Sequence, residues 1–142
     1  MPLARYAMYA AGVQFYAAPT WDRGEPWIST LRHIAKEGRV YVVGCCSAIH
    51  RDQIPDRYAF KSLLPANLEW INPGDTTIID PDGKFLVEPV RNREEVIYAE
   101  VDRAVLSGTR GQLDVVGHYA RPDVFRLLID RSARPVVEDE RE

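Results

Sequence analysis

A chain of 142 residues, 46% hydrophobic and 27% charged, has the composition of one globular domain, which excludes collagen-like, low-complexity and wholly disordered classes. Its formal charge of −3, from 18 basic and 21 acidic residues, leaves no cationic excess for a nucleic-acid footprint or a basic membrane patch. No apolar run approaches the ~20 residues of a spanning helix, and the N-terminus, with Arg5, carries no apolar export segment, so a cytoplasmic location is expected.

The first predicted element is a helix. Leu3, Tyr6, Ala7, Ala10 and Ala11 recur at helical spacing, Pro2 suits a first turn, and Gly12 closes the segment. No Ser, Thr, Asp or Asn stands ahead of it to accept its free N–H groups, so the helix opens without a lead-in. Residues 13–18 (VQFYAA) read as a short buried strand, and PTWDRGEP as a loop that delivers Pro26 to the first turn of a second helix. Trp27, Ile28, Leu31, Ile34 and Ala35 share one face of that helix, and Gly38 ends it. Residues 40–48 (VYVVGCCSA) form a nearly continuous apolar run, the pattern of a strand covered on both faces. Helix–strand–helix–strand is the signature of a parallel α/β unit.

The middle of the chain changes character. Residues 49–74, with charged HRDQIPDR and turn-rich LPANLEWINPGD, read as a long surface excursion holding a short helix near 58–63. TTIID (76–80) reads as a strand, DPDG as a turn, and residues 84–90 as the return strand of a hairpin. EVIYAEV (95–101) alternates and predicts a further strand. Asp102 caps a short helical turn reaching Leu106, SGTRG is a loop, and residues 124–129 make a last strand candidate. VVEDERE at the end is a solvated acidic tail. Neither an internal repeat nor a linker divides the chain into two domains.

No complete catalytic set emerges from spacing. Cys45 and Cys46 are adjacent within a predicted strand, where neighbouring side chains point to opposite faces and a mutual disulfide would be strained; reduced, buried, structural thiols are expected. His33 and Glu37 lie one helical turn apart, but without a third ligand nearby they read as a surface or interface pair. His50 falls in a charged loop and reads as solvated. His118, crowded by aromatic, cationic and acidic residues in GHYARPD, reads as part of a hydrogen-bonded turn rather than a catalytic base. No GxSxG elbow is present, and GTRGQLDVVG lacks the strand-to-helix setting of a phosphate loop. Trp21, at the expected carboxyl end of a strand, either lines a pocket or packs. No metal or cofactor is expected.

Taken in order, MPLARYAMYAAGVQFYAAPTWD, TLRHIAKEGRVYVVGCCSA, GDTTIIDPDGKFLVEPV, EEVIYAEVD and DVVGHYARPDVF resemble the second half of nitrilases, within the carbon–nitrogen hydrolase superfamily. The GHYARPDVF segment is specific for the nitrilase branch rather than the amidases. The resemblance implies an α/β fold, the C-terminal part of a four-layer αββα sandwich, over residues 1–137, with 138–142 as acidic tail. It also implies hydrolysis of a nitrile to a carboxylic acid and ammonia. In that chemistry a Cys thiolate forms a thioimidate, a Glu moves protons, a Lys stabilises developing charge, and no metal or cofactor takes part.

Carried over residue by residue, the resemblance finds no position matching the catalytic Glu, Lys or Cys. In the family all three precede the segment resembling MPLARYA, the Cys in a Cys-Trp-Glu-like motif that would lie just before Met1. Cys45 and Cys46 match the strand after the second helix instead, and Lys36, Lys61 and Lys84 match nothing catalytic. Only the APTWD loop brings expected substrate contacts: Pro19, Thr20 and Trp21. The expectation is a truncated nitrilase whose Met1 is an internal methionine of a longer frame or the start of a broken gene. Alone it should be inactive and prone to associate through uncovered apolar faces. The alternatives are one half of a split enzyme, or a non-catalytic partner in a homo- or hetero-oligomer with nitrilase subunits. In the second case the contacts would run through Arg32, His33, Glu37 and the segment beyond Arg121. A nitrile is a substrate only if the missing half is supplied; neither nucleic acid nor membrane is an expected partner.

Overall fold

The computed structural model describes residues 1–132, so the expected acidic tail lies outside the described residues. Helix α1 (Pro2–Ala10) forms with no side-chain cap at its start, as its sequence requires, and Gly12, at φ 81°, turns the chain away. Strand β1 (Phe15–Thr20) leads through a loop to helix α2 (Glu25–Gly38), and strand β2 (Tyr41–Cys46) follows. A two-stranded ribbon, β3 (Ile49–His50) with β4 (Trp70–Asn72), precedes the hairpin of β5 (Gly74–Ile79) and β6 (Phe85–Arg91). Helix α3 (Arg103–Arg110) ends the regular structure among the described residues.

The main sheet runs in the order β1-β2-β5-β6, with β1 and β2 parallel and the other two pairings antiparallel. The predicted α/β unit is therefore the β1–α2–β2 crossover. Leu31, Ile34 and Ala35 of α2 bury against Ala18, Val42 and Ile79 of the sheet, and Tyr9 of α1 closes the cluster. Gly38 permits this approach, because a Cβ there would fall 2.2 Å from the Tyr9 ring. Tyr9 also donates its hydroxyl proton to Glu37 at 3.2 Å, tying α1 to α2. Burial, reinforced by the Glu37 charge, pushes its phenol well above the ordinary tyrosine range.

At the same C-terminal end of α2, Arg39 enters the left-handed region at φ 49° and buries its guanidinium, which donates to Asp82 Oδ1 at 2.5 Å and to the Pro81 carbonyl at 3.3 Å. The DPDG turn predicted after β5 thus docks on the helix end. Gly83 donates its N–H to the Asp80 carbonyl at 2.9 Å, and its own carbonyl accepts from Arg32 Nε at 2.8 Å.

Several expectations change. β2 is not covered on both faces. Val42, Gly44 and Cys46 face α2 and are buried, whereas Val43 and Cys45 on the opposite face are exposed, so Cys45 is not the buried thiol expected. Phe15, Ala17 and Pro19 of β1 lie exposed on that same face. The central excursion contains the β3–β4 ribbon, whose two- and three-residue strands are too short to show a period. The helix near 58–63 is a 3₁₀ turn, Ala59–Leu63. Arg51 organises this lobe by donating to the carbonyls of Lys61 and Pro65 at 3.2 and 2.5 Å.

Residues 95–101 and 124–129 form no strand, because neither finds a partner edge among the described residues, and a β-strand without a ladder leaves its backbone groups unpaired. Asp102 does cap α3, its Oδ1 accepting from the Ala104 N–H at 2.8 Å. The helix continues to Arg110 through the predicted SGTRG loop. Thr109 Oγ1 donates back to the Val105 carbonyl at 2.8 Å, and Gly108 faces open space, where a glycine costs the helix little packing.

Leu31 is fully buried at the α2–sheet interface. Leu31→Ala is therefore expected to cost about 2–5 kcal/mol. The check is a lower urea midpoint at unchanged slope; an unchanged midpoint would contradict this packing.

Candidate functional site

Parallel pairing makes β1 and β2 end side by side, with Pro19 opposite Cys45 and Thr20 opposite Cys46. β5 is antiparallel to β2 and so begins at the same end. The topology thus assembles three segments there: the loop after β1, the end of β2, and the junction between β4 and β5. Carboxyl ends of parallel strands are where ligands gather in α/β folds.

Pro19, Thr20 and Trp21 lie at this end as expected. Trp21 is 54% exposed. Thr20 Oγ1 accepts the Asp22 N–H at 2.9 Å and turns the loop.

Beneath the loop lies a buried polar cluster that sequence reading left as part of a surface excursion. Asn72 is fully buried; its Nδ2 donates to the Trp21 carbonyl at 3.1 Å, and its Oδ1 accepts from the Gly74 N–H at 3.2 Å. Asp75 is 1% exposed; its Oδ2 accepts the Gly24 N–H at 2.6 Å, and its Oδ1 is ion-paired with Arg91 Nε. The Asp75 carboxylate holds the Arg91 guanidinium above its usual range. The signal for this cluster was NPGD itself, where Asn and Asp flank a Pro that cannot donate to a ladder and a Gly that permits an unusual backbone turn.

Cys46 sits in the same cluster. Its N–H donates to Thr76 Oγ1 at 3.1 Å, and its Sγ lies 3.4 Å from Asn72 Nδ2. Burial pushes its thiol up, the Asn72 contact opposes that, and the Asp75 charge adds to it, so the thiol stays protonated. Cys45 points to the bare face and borders a cavity of about 320 Å³ lined also by Ser47, Thr76, Arg93 and Glu94. Among the described residues, neither thiol is hydrogen-bonded to a histidine, a carboxylate or a lysine, the partners that activate a cysteine nucleophile.

The remaining candidates lie away from this end. His33 and Glu37 pair at 3.7 Å on α2, where Glu37 also meets Arg5, the surface pairing their spacing predicts. His50 is not simply solvated: it lies on β3, packs edge-on against Trp70 with ring centroids 5.1 Å apart, and accepts the Asp52 N–H at Nδ1. His118 leans on Tyr119 in a turn tied by Asp114, whose carbonyl accepts from Gly117 and Tyr119.

Comparison with known proteins adds to this geometry. The profile of the family described as Carbon-nitrogen hydrolase matches residues 1–111. An aliphatic nitrilase of Sinorhizobium fredii (strain HH103) is 36% identical over 137 residues, covering 96% of this chain and 44% of that protein. A nitrilase of Bradyrhizobium diazoefficiens is 39% identical over 133 residues, covering 92% and 40%. A bifunctional nitrilase/nitrile hydratase of Nicotiana tabacum is 37% identical over 142 residues, covering 96% and 40%. The chain therefore spans less than half the length of these curated relatives.

The two thiols should differ in reactivity. In the dispersed chain Cys45 is expected to alkylate at least about ten-fold faster than Cys46 near neutral pH. In a Cys45→Ser variant, labelling of Cys46 should rise only above the ordinary thiol range, because a raised pKa delays thiolate formation as pH increases. Peptide mass spectrometry reads both sites; faster labelling of Cys46 would contradict the burial described.

Proposed function

This chain belongs to the carbon–nitrogen hydrolase family, and on that premise we propose that it is the C-terminal part of a nitrilase catalytic fold. The bare sheet face carries this reading. Phe15 is 49% exposed and Val43 36%, beside Ala17 and Cys45, on the side of β1 and β2 away from α2. An αββα sandwich packs a second sheet against that face, and the chain's 40–44% share of its relatives leaves room for one. Contiguous exposed apolar surface of this kind favours association.

In this reading the family's nucleophilic Cys, its Glu and its Lys come from sequence outside these 142 residues. The chain supplies the substrate wall at Pro19, Thr20 and Trp21. Attack of the Cys thiolate on the nitrile carbon, with a proton delivered to nitrogen, gives a thioimidate; a first water adds to it and ammonia leaves, giving a thioester, and a second water hydrolyses that thioester to the acid and frees the Cys, with the Glu moving the protons. In this reading neither Cys45 nor Cys46 takes the nucleophile's part: Cys46 is buried, with its thiol pushed up, and Cys45 makes no hydrogen bond to a base among the described residues.

A second reading, docking onto complete nitrilase subunits without catalysis, is favoured by a groove of about 620 Å³ between α1 and the segment carrying Tyr119, Phe125 and Ile129. Of the contacts expected for it, Arg32 and Glu37 are already engaged within the chain, at Gly83 and at Arg5 and Tyr9. His33 remains 65% exposed, and Phe125 beyond Arg121 is 77% exposed.

The test is ammonia release from a simple aliphatic nitrile. The chain alone should give none above background. Assembled with the N-terminal part of an aliphatic nitrilase, it should give turnover that depends on that part's Cys. Turnover by the chain alone, abolished by Cys45→Ala or Cys46→Ala, would overturn the proposal. Co-purification with a complete nitrilase, without gain of turnover on assembly, would favour the second reading.

A further inference from the structure

The loop that carries Trp21 makes few bonds of its own. Within it, the Asp22 N–H bonds to Thr20 Oγ1 and the Arg23 N–H to Asp22 Oδ1, both at exposed positions. Its two anchors come from residues about fifty positions later. Asn72 Nδ2 holds the Trp21 carbonyl, and Asp75 Oδ2 holds the Gly24 N–H. Both anchoring side chains are essentially fully buried.

The backbone beneath the anchors is forced. Gly74 has φ 100° and Asp75 has φ 110°, two successive residues in a region that L side chains rarely adopt. Gly74 is required there, since a Cβ would fall 2.9 Å from the Val90 carbonyl oxygen. Asp75 adopts this conformation without being glycine, which only an over-determined environment sustains. The double turn aims the Asp75 carboxylate at the loop, and Arg91 balances its charge. Gly24 is also the N-cap position of α2, which has no side-chain cap of its own. Asp75 therefore caps α2 from another element, placing a negative charge at the positive end of the helix. One carboxylate couples the start of the core helix to the end of the loop.

We propose that Asn72 and Asp75 are positioning residues that set the height and orientation of the Pro19–Trp21 wall, and so the size of nitrile side chain it admits. This deepens the nitrilase reading and rests on it for the identity of what meets the wall. Neither residue touches the reacting atoms; each acts through the loop backbone. Loss of the Asp75 bond frees Gly24 and the helix start, and loss of the Asn72 bond frees the Trp21 carbonyl.

Two measurements test this separately. The first is hydrogen–deuterium exchange of the 142-residue chain, read by mass spectrometry on peptides covering residues 19–27 and 31–37. Asp75→Asn and Asn72→Ala should each speed exchange in 19–27 by about ten-fold or more while 31–37 changes little. Should Asp75→Asn fail to fold, Arg91→Met, at a half-exposed position, removes the charge partner and should loosen 19–27 by a smaller factor. Unchanged exchange in 19–27 in the folded variants, or an equal rise in both peptides, overturns the lock.

The second measurement uses the chain assembled with the N-terminal part of an aliphatic nitrilase. There Asn72→Ala should raise KM for a short aliphatic nitrile and alter the preference between short and bulky nitriles by about ten-fold, with kcat changed less. A fall in kcat with KM and preference unmoved contradicts a positioning role. Absence of turnover in the unmutated assembly sinks the nitrilase reading and the substrate part of this inference with it; the exchange result still decides the lock.

Discussion

A β-sheet has two faces, and among the described residues α2 covers one of them. On the α2 side, Leu31, Ile34, Ala35, Val40, Val42 and Ile79 pack with almost no exposure. On the other side Phe15, Val43 and Cys45 stand in the open. Hydrophobic burial is the dominant favourable term in folding, so the apolar surface of β1 and β2 on that side goes unburied within the described residues. Two side chains on that face are hidden: Ile78, opposite Val43, is buried, and Tyr41 stacks its ring on Phe15 at 5.5 Å and bonds its hydroxyl to the Asp102 backbone. Residues 95–101 alternate like a strand yet pair with no strand among the described residues.

The two ends of α2 are fixed by different chemistry. At its C-terminal end the buried Arg39 guanidinium reaches the hairpin turn through Asp82 and the Pro81 carbonyl. At its N-terminal end the Asp75 carboxylate reaches Gly24. Both ties span more than forty residues, and both run to the β5–β6 hairpin. Helix and hairpin thereby set one another, and the Trp21 loop, which leaves β1 and enters α2, inherits its position from both. Such buried ionic groups are expensive to desolvate unless each is satisfied; here each carboxylate meets a guanidinium or an amide, while the buried Arg39 Nε has no hydrogen-bond partner among the described residues.

The sequence carried the local part of this structure and lost the part that depends on distant partners. α2 was legible because five apolar residues fall on one face and Gly38 stops it. The β5–β6 hairpin was legible because DPDG is a strong turn between two apolar runs. The cap at Asp102 was legible for the same local reason. Coverage of a strand is not local: VYVVGCCSA reads alike whether its second face meets another sheet or nothing. The ribbon of β3 and β4 escaped because two or three residues cannot display a period of two. At the candidate site, Pro19, Thr20 and Trp21 followed from family resemblance, whereas Asn72 and Asp75 act across about fifty residues and carry no spacing signature. They became visible only when β5 was seen to start where β1 ends.

The claim at the centre of this account is that the face bearing Phe15, Val43 and Cys45 is an interior surface of a two-sheet fold. Cys45 reports on it directly. Its alkylation rate should be measured in the chain alone and in the chain assembled with the N-terminal part of an aliphatic nitrilase. Protection by about ten-fold or more on assembly is the predicted result; an assembled, nitrile-hydrolysing protein in which Cys45 alkylates as fast as before would contradict it.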